Sequence, residues 1–214
     1  GYGMTEAHSH NYTLPDDKPE LIIESAGKAC PGYELKIWSL DDNDLELGVG
    51  EEGQIAGKGA SLMLGYYNNE EATIGAFNSS GWYMTGDIGR LDENGYLFLS
   101  GRLKDLINRG GHKIYPGPIE KLAESHDDIE KAAVIAMRDE RLGERVCIVV
   151  VTRKGANLSS RELVKYLTDV GLSRYDVPEF FAQVDELPLT PSGKVMKRAL
   201  LALLDNGSLI ASPV

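Results

Sequence analysis

Residues 82–120 are a run of short extended segments broken by glycine, and those breaks limit the folds open to the chain. Segments 88–91 and 96–99 flank Asp92-Glu93-Asn94-Gly95, whose Asn-Gly pair accepts the positive φ of a tight hairpin turn. Segments 106–108 and 113–115 flank a second turn, Arg109-Gly110-Gly111-His112. Between the hairpins lies a charged group, Arg102, Lys104 and Asp105. A domain boundary is expected there. The predicted class is α+β, with a β-rich part over 1–101 followed by a small α+β part over 102–214.

The flanking sequence agrees with that division. Upstream, 33–38 and 54–56 alternate as half-buried strands, 41–50 is an acidic solvated loop, and 69–76 reads as a short helix capped by Asn68 or Asn69. Downstream, strands and helices alternate. Helices are expected at 118–125 with Pro near the first turn, at 160–169 with Ser159 as N-cap, and at 195–204; strands are expected at 131–137, 145–152 and 180–184. Residues 2–6 read as a loop leading into a helical turn.

Composition excludes some partners. Of 214 residues, 42% are hydrophobic, enough for a packed core, and 22 Lys plus Arg against 33 Asp plus Glu give a net charge of −11. Non-specific nucleic-acid binding needs a basic face, so that class is set aside. The short basic group Lys194, Lys197 and Arg198 is more simply a phosphate site beside a solvated helix face. A disulfide between Cys30 and Cys147 is not expected, no apolar run reaches the length of a membrane span, and the opening residues do not read as a signal peptide. A reducing, cytoplasmic setting is expected.

Asp87 sits beside Gly86, read as a glycine turn. An ionised Asp is acceptor-only, and glycine admits a ligand close to the backbone, so the pair suits the two hydroxyls of a ribose. A turn residue satisfying its own backbone is the plainer reading. His8 and His10 have His-x-His spacing but lack a third ligand, which argues against zinc.

Tyr2-Gly3-Met4-Thr5-Glu6, then Gly53-Gln54-Ile55-Ala56-Gly57 followed by Gly65-Tyr66-Tyr67, Thr85-Gly86-Asp87, Gly101-Arg102-Leu103-Lys104-Asp105, and Pro191-Ser192-Gly193-Lys194 occur in this order. The series resembles the adenylate-forming superfamily of acyl-CoA synthetases, aryl-acid ligases, luciferases and peptide-synthetase adenylation domains. That resemblance implies ATP as substrate with Mg²⁺, and CoA as co-substrate. In the implied reaction a small carboxylic acid attacks the α-phosphate to give an acyl-adenylate and pyrophosphate, and a thiol then displaces AMP.

The resemblance also implies roles. Lys194 would contact the α-phosphate and the substrate carboxylate, Asp87 and Arg102 the ribose, Tyr2 adenine, Thr5 a phosphate oxygen, and Glu6 the metal. Lys104 matches the hinge about which the smaller domain rotates between half-reactions. Gly110 and Gly111 would then admit a thin pantetheine arm, with His112 beside them. One departure is Pro118-Ile119-Glu120, where the family usually carries Glu before Ile-Glu. Pro188, upstream of Gly193-Lys194, also resembles a pattern recognised by acetyltransferases that silence such enzymes, which makes acetylation of Lys194 a secondary expectation.

The chain opens inside a motif and lacks the family's phosphate loop. It is therefore expected to be the C-terminal portion of an acyl-CoA synthetase, inactive without the N-terminal part of the same enzyme. Alternatives are an aryl-acid or peptide-synthetase-type enzyme that loads a carrier protein, and a non-catalytic nucleotide-binding or interaction module.

Overall fold

The structure, a computed structural model, describes residues 1–156 and 158–214. It divides into two compact units, Gly1–Lys104 and Asp105–Val214.

Among the described residues of the first unit, β1 (Tyr2–Met4), β2 (His8–Tyr12) and β3 (Lys28–Ala29) form one sheet, with the short helix α1 (Pro19–Glu24) between β2 and β3 in sequence. Residues 2–4 are thus a strand rather than the expected loop. Ala7 N–H donates to Met4 O at 3.2 Å and turns the chain back, so that Tyr2 pairs with Asn11.

A second, antiparallel sheet runs in the order β4 (Tyr33–Trp38), β5 (Gly53–Gly59), β6 (Tyr83–Leu91) and β7 (Leu97–Arg102). The helix α2 (Glu70–Gly75) lies between β5 and β6 in sequence, capped by Asn69, whose side chain accepts from Ala72 N–H at 3.1 Å. Strand alternation separates the side chains into two groups. Ile37, Ile55 and Leu97 pack together with Ala26, while Trp38, Ala56, Trp82 and Met84 form a second cluster.

β6 is longer than the expected segment 88–91 and carries Asp87 inside it. Ala56 pairs with Met84 and Gln54 with Ile88, so Thr85, Gly86 and Asp87 stand opposite Ile55 alone. Gly86 takes φ +73° in this bulge. The expected glycine turn is therefore a kink within a strand, which re-aims a side chain without ending the sheet.

In the second unit, β8 (Ile107–Arg109) and β9 (His112–Ile114) form a hairpin, followed by α3 (Pro116–Glu124), β10 (Ile129–Asp139), β11 (Gly143–Thr152), α4 (Ser160–Asp169), β12 (Phe180–Gln183), α5 (Lys197–Asp205) and β13 (Ser212–Pro213). β11 pairs antiparallel with β10 and parallel with β12, and β8 joins β11 where Arg109 faces Gly143. Val146, Ile148 and Val150 face the cluster that includes Ile119 and Ala123 of α3 and Leu163 and Leu167 of α4. Cys147, Val149 and Val151 face the cluster that includes Leu200 of α5. A strand covered on both faces needs an unbroken apolar run, which 146–151 supplies. Each fully buried Val or Ile contributes roughly 1.5–3 kcal/mol.

Two helix starts differ from expectation. α3 begins at Pro116, where the fixed φ of proline suits a first turn. α5 begins at Lys197 because Val195 is held extended by a bridge to Leu189. Among the described residues, no helix is long and apolar enough to cross a membrane.

Candidate active site

Asp87 is the one acidic residue among the buried polar side chains of the described residues, at 9% exposure. Its carboxylate is held from two sides. The Tyr2 hydroxyl donates to Oδ2 at 2.7 Å, and Arg102 Nε lies 3.2 Å from Oδ1. Arg102 is the register partner of Asp87 across β6 and β7, so strand pairing itself supplies the cation. Thr85 fixes the bulge: its hydroxyl donates to Ile55 O at 2.7 Å and accepts from Asp87 N–H at 3.1 Å.

Behind Tyr2 lies His10, fully buried, with the rings of Tyr2 and Tyr33 each 4.8 Å from its own. Neither His10 nitrogen nor the Tyr33 hydroxyl has a hydrogen-bond partner among the described residues. Burial pulls the His10 pKa below the ordinary 6.5, with Asp87 acting in the opposite direction. Burial, reinforced by the hydrogen bond to Asp87, pushes the Tyr2 phenol well up, so it remains a protonated donor. Tyr33 is pushed up to about 12 by burial.

Thr5 and Glu6 lie in the turn between β1 and β2, Thr5 exposed and Glu6 half-buried. Glu6 accepts from the Tyr66 hydroxyl at 3.1 Å. Among the described residues no three His, Cys, Asp or Glu side chains cluster as metal ligands. A single carboxylate still fits Mg²⁺, which is commonly held by one or two carboxylates together with substrate phosphates.

In the second unit, Lys194 is exposed at the end of a closed loop. Thr190 N–H donates to Lys194 O at 2.7 Å and Gly193 N–H to Thr190 O at 2.8 Å. Lys194 N–H donates to Thr190 Oγ1 at 3.0 Å. Among the described residues the Lys194 ammonium has no carboxylate partner.

The β8–β9 turn is shaped by Gly110 at φ +60° and Gly111 at φ +94°. Gly110 N–H donates to Leu142 O at 2.7 Å and Gly111 N–H to Asn108 Oδ1 at 2.9 Å. His112 Nε2 lies 2.8 Å from Asp176 Oδ1, and Arg109 reaches Glu179 at 2.9 Å and Tyr175 O at 3.1 Å. Lys104 is exposed in a 3₁₀ turn, Leu103–Asp105, and belongs to the first unit, as does Arg102, which was expected in the second.

Three parts of this arrangement were not anticipated from sequence. Thr85 lay inside a motif without a role, although a hydroxyl two residues before an acid is a signal for a backbone clamp. The Tyr2–His10–Tyr33 ring cluster has no sequence signal, since its members come from different strands. Lys197, expected on a solvated face, is instead paired with Glu120.

A family model described as AMP-binding enzyme matches residues 1–67, and one described as AMP-binding enzyme C-terminal domain matches residues 118–194. The chain belongs to this family of adenylate-forming, AMP-binding enzymes. It is 42% identical over 200 residues to a salicylyl-CoA synthase / salicylate adenylyltransferase of a Streptomyces species, covering 93% of this chain and 36% of that protein. It is 38% identical over 197 residues to the medium-chain fatty-acid–CoA ligase of Escherichia coli K12, covering 92% of this chain and 34% of the relative. The crystal structure of ATP-bound MatB from Rhodopseudomonas palustris superposes with a TM-score of 0.88 at 32% identity, over 96% of this chain and 40% of that one. The chain thus spans about a third of the length of these curated relatives.

Proposed function

We propose that this chain serves an ATP-dependent, AMP-forming acid–thiol ligase, supplying the lysine of adenylation and the carboxylate that holds the ribose. In the first half-reaction a carboxylate oxygen of the acid bonds to the α-phosphorus of ATP and the bond to pyrophosphate breaks. In the second, a thiol loses its proton, its sulfur bonds to the acyl carbon, and AMP leaves with the bonding pair.

The observation that carries this reading is the state of Lys194. Its ammonium is exposed, unpaired among the described residues, and mounted on a loop closed by its own hydrogen bonds. A lysine kept free of carboxylates on a chain of net charge −11 suits a polyanionic ligand. It would neutralise charge developing on the α-phosphate.

Asp87 supports the same reading. Tyr2 and Arg102 each engage one carboxylate oxygen, and a carboxylate offers about four lone-pair sites, so acceptor capacity remains for two ribose hydroxyls. Glu6, with substrate phosphate oxygens, would hold Mg²⁺, whose contribution is to neutralise phosphate charge. Lys104 in its 3₁₀ turn would be the pivot, and the Gly110-Gly111 turn would pass the pantetheine thiol, from CoA first and a carrier protein second.

The test is the full-length protein with ATP, a panel of fatty, cyclic and aryl acids, and either CoA or a carrier protein. Acid-dependent pyrophosphate release followed by thioester formation is the expected result. No acid-dependent pyrophosphate release with any acid would overturn the proposal in favour of a non-catalytic module.

A further inference from the structure

A lysine that acts on a developing charge must be presented at a fixed place, and the chain just after Lys194 shows how that is done. α5 starts three residues later under poor local conditions. Met196 caps it without a side-chain hydrogen bond, no acid occupies its first turn, and Lys197 sits at its first position. Positive charge there opposes the helix dipole.

Glu120 of α3 offsets this. Its Oε1 lies 2.7 Å from Lys197 Nζ and also accepts from Val134 N–H of β10 at 2.7 Å. The Lys197 and Glu120 side chains are only 19% and 22% exposed, so the pair is largely withdrawn from water. Charge-assisted hydrogen bonds are stronger there than on an open surface. One carboxylate therefore ties the start of α5 to both a neighbouring helix and the central sheet. The other end of the short segment is pinned as well, by the Leu189–Val195 bridge and by Met196 N–H donating to Pro188 O at 2.8 Å.

We propose that Glu120 is a positioning residue for Lys194, setting through Lys197 the point at which α5 begins and with it the place of the Lys194 ammonium. The inference rests on Lys194 being the lysine of adenylation. It also gives a role to the acid that remains in the Pro118-Ile119-Glu120 run.

The experiment uses the full-length protein as wild type, Glu120→Gln, Lys194→Ala and the double variant. Adenylation is followed by acid-dependent pyrophosphate–ATP exchange, and thiolysis by consumption of preformed acyl-adenylate. Glu120→Gln keeps an acceptor for Val134 N–H while removing the charge. It is expected to lower kcat for exchange roughly tenfold or more, as misplacement of a catalytic group does, with little change in the KM for ATP and in thiolysis. In the Lys194→Ala background it should produce no further loss. Lys197→Met should reproduce the defect and Lys197→Arg should largely retain activity, which keeps the test sound if Glu120→Gln folds poorly.

Unchanged exchange in both Glu120→Gln and Lys197→Met would overturn the inference. So would equal loss in both half-reactions, or a full additional loss on top of Lys194→Ala. Wild-type exchange in Lys194→Ala would instead overturn the assignment of Lys194 itself.

Discussion

The Tyr2 hydroxyl donates to Asp87 Oδ2 at 2.7 Å, joining residues 85 positions apart in sequence. With Arg102 on the other oxygen, the carboxylate is oriented before any ligand arrives. Preorganisation of this kind lowers the ordering cost of binding. Tyr2→Phe is therefore expected to weaken AMP binding several-fold, as loss of one hydrogen bond of about 1 kcal/mol would. Asp87→Asn should cost more, roughly ten- to a hundredfold, because hydrogen bonds to a charged acceptor are worth about 1.5–3 kcal/mol. Calorimetric titration of AMP into the full-length protein would show the order wild type, Tyr2→Phe, Asp87→Asn; equal affinity in all three would remove Asp87 from the ribose site.

Lys194 should matter to one half-reaction. Its replacement by Ala is expected to slow adenylation about a hundredfold or more, comparable to losing one preorganised transition-state donor, with a smaller effect on thiolysis of preformed acyl-adenylate. Arg should rescue poorly, since a planar fork does not reproduce a compact ammonium on a flexible stem. Rapid-quench measurement of the two steps separates these outcomes, and an equal slowing of both would count against the role.

His10 gives the first unit an acid sensitivity. Its folded pKa is held below 6.5, chiefly by burial. Between that lowered value and the unfolded value the unfolded chain binds more protons, so stability rises with pH across this window. The His10 contribution is thus complete above about pH 6.5 and is lost as pH falls through the lowered folded pKa. Urea melts between pH 7.5 and pH 5 should show wild type losing stability relative to His10→Phe as the pH falls. Parallel curves would show that His10 stays uncoupled from folding.

The second unit offers a separate control on stability. Ser159 caps α4 by accepting from Glu162 N–H at 3.3 Å, while Glu162 Oε2 accepts from Ser159 N–H at 2.9 Å. Removing this reciprocal cap with Ser159→Ala should cost about 1 kcal/mol. Calorimetry would register the lowered melting transition, and the KM for ATP should remain at its wild-type value.

Local chemistry made much of the fold legible. The alternation at 33–38 matches β4 from Tyr33 to Trp38, and Ser159 announced α4 from Ser160 to Asp169. What escaped depends on partners distant in sequence. β1 is a strand only because Tyr2 finds Asn11, and Gly86 makes a bulge only because β5 continues past it on the other side. At the site, the ribose role proposed for Asp87 was argued from its neighbours in the chain. Its engagement by Tyr2, and the pairing of Lys197 with Glu120, required the strands and helices to be assembled first.

Gly57 carries no functional group, yet it makes room for the ring cluster behind Asp87. A Cβ there would stand 2.3 Å from the Tyr33 hydroxyl and 2.6 Å from its ring, and the Tyr33 ring in turn lies 4.8 Å from that of His10, as does the ring of Tyr2. Enlarging position 57 would push on Tyr33, then His10, then the phenol that aims the carboxylate. Positions 57 and 33 therefore share one volume, and a side chain added at the first is accommodated only if the ring at the second gives way.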